Sequence, residues 1–228
     1  MDRLEAISPI DGRYRRYTEP LSDIFSEKGL IGYRVKVEGE YLLFLSEHSQ
    51  IGTRTFSEDE KTLVRRLYDI STEDAGVVKA IELKGYKDIK PTNHDVKAVE
   101  YFMKDRLKGT SLEDSLEWIH FALTSEDVNN LAYGLMLSDG IGKIVLPSAQ
   151  ELYETIEGLA QRYKDVPMLA RTHGQPASPT TFGKEFKVFS SRLKRQLDQL
   201  GEHEILVKLN GATGNYNAHH VAYPEVDL

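Results

Sequence analysis

The sequence predicts an all-α fold in two parts. These are a small N-terminal helical domain over residues 1–110 and, over residues 111–228, the first, truncated part of a long-helix bundle domain. Three observations predict this fold: apolar residues recur every three or four positions, capping pairs precede several of these stretches, and the stretches lengthen after residue 111. The polar segment 108–111 is typical of a linker between the two parts.

Helices are expected in the N-terminal part after an irregular arm, rich in turn residues, over residues 1–19. The first helix is striped by Leu30, Tyr33, Val37, Tyr41 and Phe44. Ser57 with Glu60 forms a capping box that opens the next, and Ser71 with Asp74 opens a third, which runs towards Gly85. A loop over 86–92 precedes a short helix that ends near Gly109. Its apolar positions are Val96, Val99, Phe102 and Met103.

Longer helical segments are expected in the second part. One runs through Leu116, Ile119 and Leu123, and another covers 125–138, bounded by Gly140 and Gly142. Pro147 marks the start of a long helix, or a kink in it. Two apolar stripes define the long helices: Leu152, Ile156, Leu159 and Tyr163, then Phe186, Phe189, Leu193, Leu197 and Leu200. The stretches 167–183 and 208–219 are too polar and too rich in Gly and Pro for helix interiors, so we expect them to interrupt the bundle pattern.

Composition excludes several classes of function. The 228 residues carry a formal net charge of −7, which argues against a nucleic-acid partner but still allows a local phosphate site. Without cysteine, the chain has no disulfide, thiolate zinc site or cysteine nucleophile, as suits a reducing cytosol. The seven histidines include no pair at helical ligand spacing, so we expect no metal. There is no signal-peptide core and no apolar run long enough to cross a membrane.

Four polar clusters stand out, and each has an ordinary structural explanation. The cluster at 8–14 is typical of a turn, and the one at 171–177 of a loop with one histidine. The other two match capping boxes, namely Thr92 with Asp95 and Thr124 with Asp127.

Together the clusters also indicate chemistry. A helix N-terminus presents unpaired N–H groups, so the same feature can cap a helix and bind a carboxylate or phosphate. Two of these caps have unusual polar neighbours, Asn93-His94 and Ser125-Glu126. His173 lies between Thr172 and Gly174, where the glycine leaves room for a ligand, and histidine titrates near neutrality. From the residues alone we infer a helical protein with a candidate anion site and a candidate acid–base histidine.

The clusters, in this order, resemble the motifs of the adenylosuccinate lyases, a family of the fumarase/aspartase superfamily. The segments that carry the resemblance are Ser8–Tyr14, Thr92–Phe102, His120–Asn130, Arg171–Ala177 and Asn210–His219. Asn-His-Asp-Val-Lys-Ala-Val-Glu-Tyr-Phe and Thr-Ser-Glu-Asp are specific to this family, whereas related lyases share the Thr-His pair. The resemblance covers essentially the whole chain, which corresponds to the N-terminal portion of the family's sequences.

The resemblance implies a reaction that releases fumarate. The family cleaves adenylosuccinate to AMP and fumarate, and the succinyl carboxamide ribotide of purine biosynthesis to AICAR and fumarate. A base removes a weakly acidic proton beside a carboxylate, an acid protonates the leaving nitrogen, and donors stabilise the developing charge. No metal or cofactor is needed. Family members are cytoplasmic homotetramers whose long helices form a shared core, so we expect a nucleotide substrate and self-association, with no nucleic-acid or membrane partner.

The resemblance also implies roles for individual residues. His173 corresponds to the general acid, and Thr172, Thr124 and Ser125 correspond to donors to the succinyl carboxylates. Arg13 and Tyr14 correspond to contacts with the nucleotide phosphate. The remaining nucleotide contacts implied by the resemblance are Asn93, His94 and Asp95, with His94 a candidate support for His173.

The chain departs from the family in one respect. The family's base is a serine on a Gly-Ser-Ser-x-Met-Pro-x-Lys-x-Asn-Pro loop, and this sequence contains no such stretch. Ser190-Ser191 is no substitute, because it lies in a striped helix. We therefore expect a gene fragment or clipped product that is inactive alone.

Two alternatives remain open at this stage. The chain could belong to another lyase of the superfamily, such as fumarase or argininosuccinate lyase, which share Thr-His but not the Asn-His-Asp-Val-Lys-Ala block. It could also be a non-catalytic helical interaction module built on a lyase remnant, which the missing base loop favours.

Overall fold

The computed structural model of the protein describes residues 3–48, 50 and 53–226. The chain divides into two compact units, the first made of Met1–Leu137 with Leu206–Leu228 and the second of Ser138–Ile205. The domain boundary near residue 110 stays a prediction. The fold class is confirmed, because helices dominate both units.

The longer helices of the first unit are those that the apolar spacing and the capping boxes predict. The N-terminal arm, whose residues 1 and 2 lie outside the described part, contains only short helical turns. The helices are α1 (Arg15–Thr18), α2 (Ser22–Phe25), α3 (Glu27–Glu47), α4 (Glu58–Arg66), α5 (Thr72–Leu83), α6 (Asp95–Leu107), α7 (Ser125–Gly140, whose last residues belong to the second unit) and α10 (Asn217–Ala222). Within the described ranges, every helix is too short or too polar to cross a lipid bilayer.

Two of the predicted capping boxes are present with both of their hydrogen bonds. Ser57 and Glu60 cap α4 reciprocally, and Ser71 and Asp74 do the same for α5. Each box satisfies two N–H groups that would otherwise lack a partner at the first turn. These short-range pairs fix where the two helices begin.

The predicted Thr92–Asp95 box is wrong, because α6 begins at Asp95 and His94 is its N-cap residue. The N–H groups of Thr92 and Asn93 donate to the carbonyls of Ile81 and Glu82 at the end of α5. Asn93 then adopts a left-handed φ of 49°. The chain at Thr92 is therefore still tied to the preceding helix, so helical geometry starts only after Asn93.

The helix expected through Leu116, Ile119 and Leu123 is also only partly correct. Residues Glu113–Trp118 form a 3₁₀-helix, after which the chain turns. His120 and Ala122 have φ values of 63° and 58°, which no right-handed helix accommodates. This turn leads directly into α7.

The core of the first unit packs α3 against α4, α5 and α6, with Ile31, Val35, Leu42, Val64, Ile81 and Phe102 among its buried side chains. A second, smaller cluster joins α3, α6 and α7 through Val37, Val96, Val128 and Ala132. Val96 and Val128 each lie in the first turn of their helix. Packing on α3 therefore holds the starts of α6 and α7 in place.

The second unit contains a π-helical turn (Ile141–Val145), α8 (Leu146–Arg162), an antiparallel hairpin of β1 (Pro167–Thr172) and β2 (Gln175–Thr181), and α9 (Phe182–Gly201). Pro147 lies in the first turn of α8, as one of the two predicted alternatives has it. The stretch 167–183 interrupts the helices as predicted, and most of it forms this hairpin. Its strands are mostly exposed, so no alternating apolar pattern marks them in the sequence.

Candidate active site

Two motifs meet where α6 and α7 begin. The Nε2 of His94 lies 3.2 Å from the Oγ of Ser125. The Nδ1 of His94 accepts the N–H of Lys97 at 3.3 Å, so in the neutral ring the proton is on Nε2 and is donated to Ser125. The hydroxyl of Ser125 then has its own proton to offer to a ligand.

This arrangement suits an anion. The first N–H groups of a helix have no partner within it and lie at the positive end of its dipole. Here two helices, of 13 and 16 residues, begin beside each other. Asn93 and His94 are exposed, and Ser125 is partly exposed, so all three side chains are accessible to a ligand.

Asp95 is engaged within the protein. Its Oδ2 accepts from a terminal nitrogen of Arg34 at 2.6 Å, and its Oδ1 accepts the N–H of Val96 at 2.9 Å. Partial burial raises the pKa of Asp95, but the charge of Arg34 and these hydrogen bonds outweigh it, so the pKa lies below its usual value. Asp95 is therefore a carboxylate at neutral pH, directed at α3.

Thr124 is fixed through its backbone. Its N–H donates to the Oδ2 of Asp127 at 3.0 Å, which is half of the predicted Thr124–Asp127 box. The side chain of Thr124 is partly exposed beside the start of α7. The local fold thus sets the direction in which Thr124 and Ser125 present their hydroxyls.

Sequence reasoning missed a row of buried polar side chains on α3. Arg34, Glu38 and Tyr41 follow one another at helical spacing on one face, and none is more than 8% exposed. Arg34 binds Asp95, the Oε1 of Glu38 lies 2.5 Å from the Nδ1 of His120, and the Tyr41 hydroxyl lies 2.8 Å from the Nε2 of His219. Each therefore contacts a segment that carries one of the motifs. Charged residues inside an apolar stripe were the available signal, since such residues are rarely buried without a partner.

Glu38 and His120 perturb each other. Burial raises the pKa of Glu38, and the hydrogen bond from His120 only partly offsets this. For His120, burial lowers the pKa, but the bond and charge of Glu38 outweigh it and the net shift is upward. The pair fixes the turn that leads to Thr124 and Ser125.

Arg13 and Tyr14 lie on an exposed turn before α1. The N–H of Gly12 donates to Ser8 and that of Tyr14 to Pro9, which closes the turn. The guanidinium carbon of Arg13 is 5.7 Å from the centre of the Tyr14 ring. Both side chains are exposed and open to a ligand.

Thr172 and His173 belong to the second unit, at the tip of the hairpin. His173 and Gly174 have φ values of 46° and 73°, as a two-residue type I′ turn requires, and Thr172 pairs with Gln175. His173 is exposed at this tip. The structure thus brings His94, Asp95 and Ser125 together, with Thr124 next to them in the chain. It places Arg13 and Tyr14 on a separate turn of the same unit.

Known proteins resemble the chain over its whole length. It is 46% identical to the adenylosuccinate lyase of Escherichia coli K12 and 45% identical to that of Dictyostelium discoideum, and in each case 100% of the chain aligns with 49% of the relative. The chain thus spans about half the length of the curated relatives it matches. The resemblance inferred from the motifs is confirmed.

Solved structures agree. The structure of the β-carboxy-cis,cis-muconate cycloisomerase of Acinetobacter calcoaceticus aligns with 88% of this chain over 44% of its own length, with 26% sequence identity and a TM-score of 0.63. A fumarate lyase from Mesorhizobium matches 90% of this chain and 45% of its own chain, with a TM-score of 0.68. Because its sequence identity is only 21%, it shows the fold alone. The model of the family described as "Lyase" matches residues 12–227. This chain therefore belongs to the lyase family.

Proposed function

We propose that the chain supplies the general-acid half of an adenylosuccinate lyase. In this proposal the complete enzyme eliminates fumarate from adenylosuccinate, giving AMP, and from the succinyl carboxamide ribotide, giving AICAR. The observation that carries it is the hydrogen bond between His94 and Ser125, which joins two motifs at adjacent helix N-termini. The 46% identity to an adenylosuccinate lyase supports the choice of substrate.

Three groups of side chains bind the substrate in this proposal. Thr124, Ser125 and Thr172 donate hydrogen bonds to the succinyl carboxylates. Asn93, His94 and Asp95 contact the nucleotide, and Arg34 holds the carboxylate of Asp95 in place. Arg13 and Tyr14 bind the phosphate. The hydroxyl proton of Ser125 and the positive ends of the two helix dipoles support the placement of a carboxylate at this point.

His173 is the general acid. A base removes a proton from the carbon beside the succinyl carboxylate, and the electrons form the double bond of fumarate. The C–N bond breaks, and the leaving nitrogen takes a proton from His173, so charge and atoms balance. The position of His173 at the exposed tip of a hairpin supports this role, because the imidazole is accessible there.

The base comes from polypeptide outside this sequence. No Gly-Ser-Ser-x-Met-Pro stretch is present in the 228 residues, so the chain alone binds weakly and does not turn over. Binding without a base stabilises ground and transition states alike and yields little rate. The complete enzyme is a cytoplasmic homotetramer with a helical domain over 1–110 followed by the bundle, and it needs no cofactor.

Ultraviolet absorbance tests the proposal, because it follows the formation of fumarate or, where fumarate is the substrate, its consumption. The chain is assayed alone and then mixed with a separately made polypeptide that carries the serine loop, with adenylosuccinate, argininosuccinate or fumarate as substrate. We expect turnover only in the mixture and only with the succinylated purine nucleotides. Turnover of argininosuccinate instead would support a different lyase. A stable mixture without activity on any substrate would support an interaction module. Turnover by the chain alone, lost in His173→Ala, would contradict the need for the loop.

A further inference from the structure

A buried carboxylate connects the start of α7 with a distant loop. Asp127 is 0% exposed and accepts hydrogen bonds from four donor groups. Its donors are the N–H of Thr124 at 3.0 Å, the Nζ of Lys208 at 2.7 Å, and the N–H groups of Asn210 and Gly211, both at 3.2 Å. One side chain thus holds both the Thr124–Ser125 turn and the segment 208–211.

The segment is attached from its other side as well. The N–H of Lys208 donates to the Oδ1 of Asn130 at 2.7 Å, and its carbonyl accepts from the Nδ2 of Asn130 at 2.9 Å. The Nζ of Lys208 also donates to the carbonyl of Gly211 at 2.7 Å, which closes the segment on itself. This segment begins the Asn210–His219 motif, to which the proposed function assigns no role.

Lys208 is the cation that balances this carboxylate. A charge removed from water is tolerated only when it is paired and hydrogen-bonded. Without the ammonium group, Asp127 would have three backbone N–H groups for a full negative charge and would take up a proton more easily. A protonated carboxyl has less acceptor capacity, so the bonds to Thr124 and Gly211 would weaken.

We propose that Lys208 is a positioning residue that, through Asp127, fixes the Thr124–Ser125 turn in the orientation that receives the substrate carboxylate. This inference rests on the proposed function, in which Thr124 and Ser125 bind that carboxylate. Lys208 acts only through Asp127 and touches no reacting atom.

The electrostatics agree with the geometry. Burial raises the pKa of Asp127, but the bonds from Lys208 and the backbone outweigh it, so the pKa lies below its usual value. The other titratable groups that face Asp127 are Tyr41 of α3 and His219 of α10. Removing Lys208 should therefore raise the pKa of Asp127 towards the working pH.

Amide hydrogen exchange of the chain itself is the first test. In Lys208→Met we expect exchange at Thr124 and Gly211 to accelerate by about tenfold or more, because the hydrogen bonds of both amides to Asp127 weaken. Lys208→Arg should restore most of the protection. Lys61→Met is the matched control, since its partners Glu47 and Glu58 are exposed, and it should leave both amides unchanged. Unchanged exchange at Thr124 in Lys208→Met would overturn the proposal.

Kinetics of the mixture with the loop-bearing polypeptide is the second test. Lys208→Met should raise KM by about tenfold with a smaller change in kcat, as expected when binding is lost. The acid limb of kcat/KM should move to higher pH. If Lys208→Met does not fold, Lys208→Gln provides an N–H donor without the charge, on a side chain one atom shorter, and the same shift of the acid limb is expected. Kinetics identical to the parent would overturn the positioning role.

If the parent mixture releases no fumarate, the proposed function fails, while the exchange test still decides whether Lys208 holds the turn.

Discussion

At the scale of the residue, buried polar contacts define the site more than exposed ion pairs do. Arg34 is 4% exposed and binds Asp95 and Asn129, so its loss would leave polar groups without partners. Lys61, in contrast, pairs with exposed Glu58, a kind of contact that contributes little to stability. The residues that hold the motifs are therefore found inside the unit, on α3.

The general acid gives the first prediction. In the reconstituted enzyme, His173→Ala should lower kcat by about 10²- to 10⁴-fold, the usual effect of removing a general acid, while KM changes far less. Steady-state fumarate release measures both. His203→Ala is the matched control, because His203 is an exposed histidine of the same unit outside the motifs. Activity of His173→Ala within a few-fold of the parent would refute the assignment.

His219 gives a prediction about pH. Burial lowers its pKa below the ordinary value of 6.5, so the unfolded chain binds the proton more readily than the folded one. The stability that neutral His219 contributes is therefore present above about pH 6.5 and is lost as the pH falls below it. His219→Phe, which retains the ring contacts with Tyr41, Phe121 and Tyr216, should lose less stability than the parent between about pH 7.5 and 5.5.

Urea unfolding at several pH values measures this difference. The lost bond to Tyr41 lowers stability of the variant at every pH, so it cancels when the two pH dependences are compared. His120 has a raised pKa, so its effect on the pH dependence of stability is opposite to that of His219. Its contribution to stability is present at low pH and is lost as the pH rises through its folded pKa. It is unchanged in the variant and cancels too. Parallel pH dependences would show that His219 has no such effect.

At the scale of the element, two glycines of the second unit have opposite effects on stability. Gly183, in the first turn of α9, lies against α8 so closely that a Cβ would be 2.5 Å from Lys164 Cα and closer still to the carbonyl of Ala160. Gly158, in the interior of α8, is exposed and has nothing within 4 Å of a Cβ. The first glycine allows the two helices to pack, whereas the second only adds flexibility to the unfolded chain.

The two substitutions should therefore change stability in opposite directions. Gly183→Ala should cost about 1 to 3 kcal/mol, because backbone atoms would have to move. Gly158→Ala should stabilise the unit by about 0.5 to 1 kcal/mol, through reduced entropy of the unfolded chain. Urea unfolding followed by circular dichroism measures both. Equal effects of the two substitutions would show that helix propensity, and not the close packing of α8 and α9, decides the outcome.

At the scale of the whole molecule, large apolar side chains remain exposed on the long helices. Leu152 of α8 and Phe189 of α9 are 53% and 60% exposed. Apolar stripes of this kind mark surfaces that another chain covers. The homotetramer of the proposed function accounts for them.

Self-association is the corresponding prediction. Sedimentation velocity should show the chain forming dimers or larger assemblies as its concentration rises, driven by burial of apolar surface. Phe189→Lys should weaken this association. Leu83→Lys is the control, because Leu83 is 58% exposed but lies on α5, outside the long helices. A monomer at all concentrations, or an equal effect of both substitutions, would count against association through the long helices.

The sequence by itself determined the features that depend on neighbours within one or two helical turns. The apolar spacing predicts α3, α6, α8 and α9, and the capping boxes fix the starts of α4 and α5. The sequence also determined the family, because the motifs and their order can be recognised without knowing which residues are in contact. Where a local signal competed with a tie to another element, as at Thr92, the prediction was wrong.

Only the tertiary structure decided which distant residues meet. Ser125 bonds to His94 across 31 positions, Arg34 to Asp95 across 61 and Lys208 to Asp127 across 81. Such pairs leave no local pattern, because each partner looks like a cap or a solvated charge in its own segment. Their pairing follows from how α3, α6 and α7 pack, and packing depends on the shape of the whole apolar core. The physical reason is that local geometry sets where a helix begins, while burial sets what its polar side chains must contact.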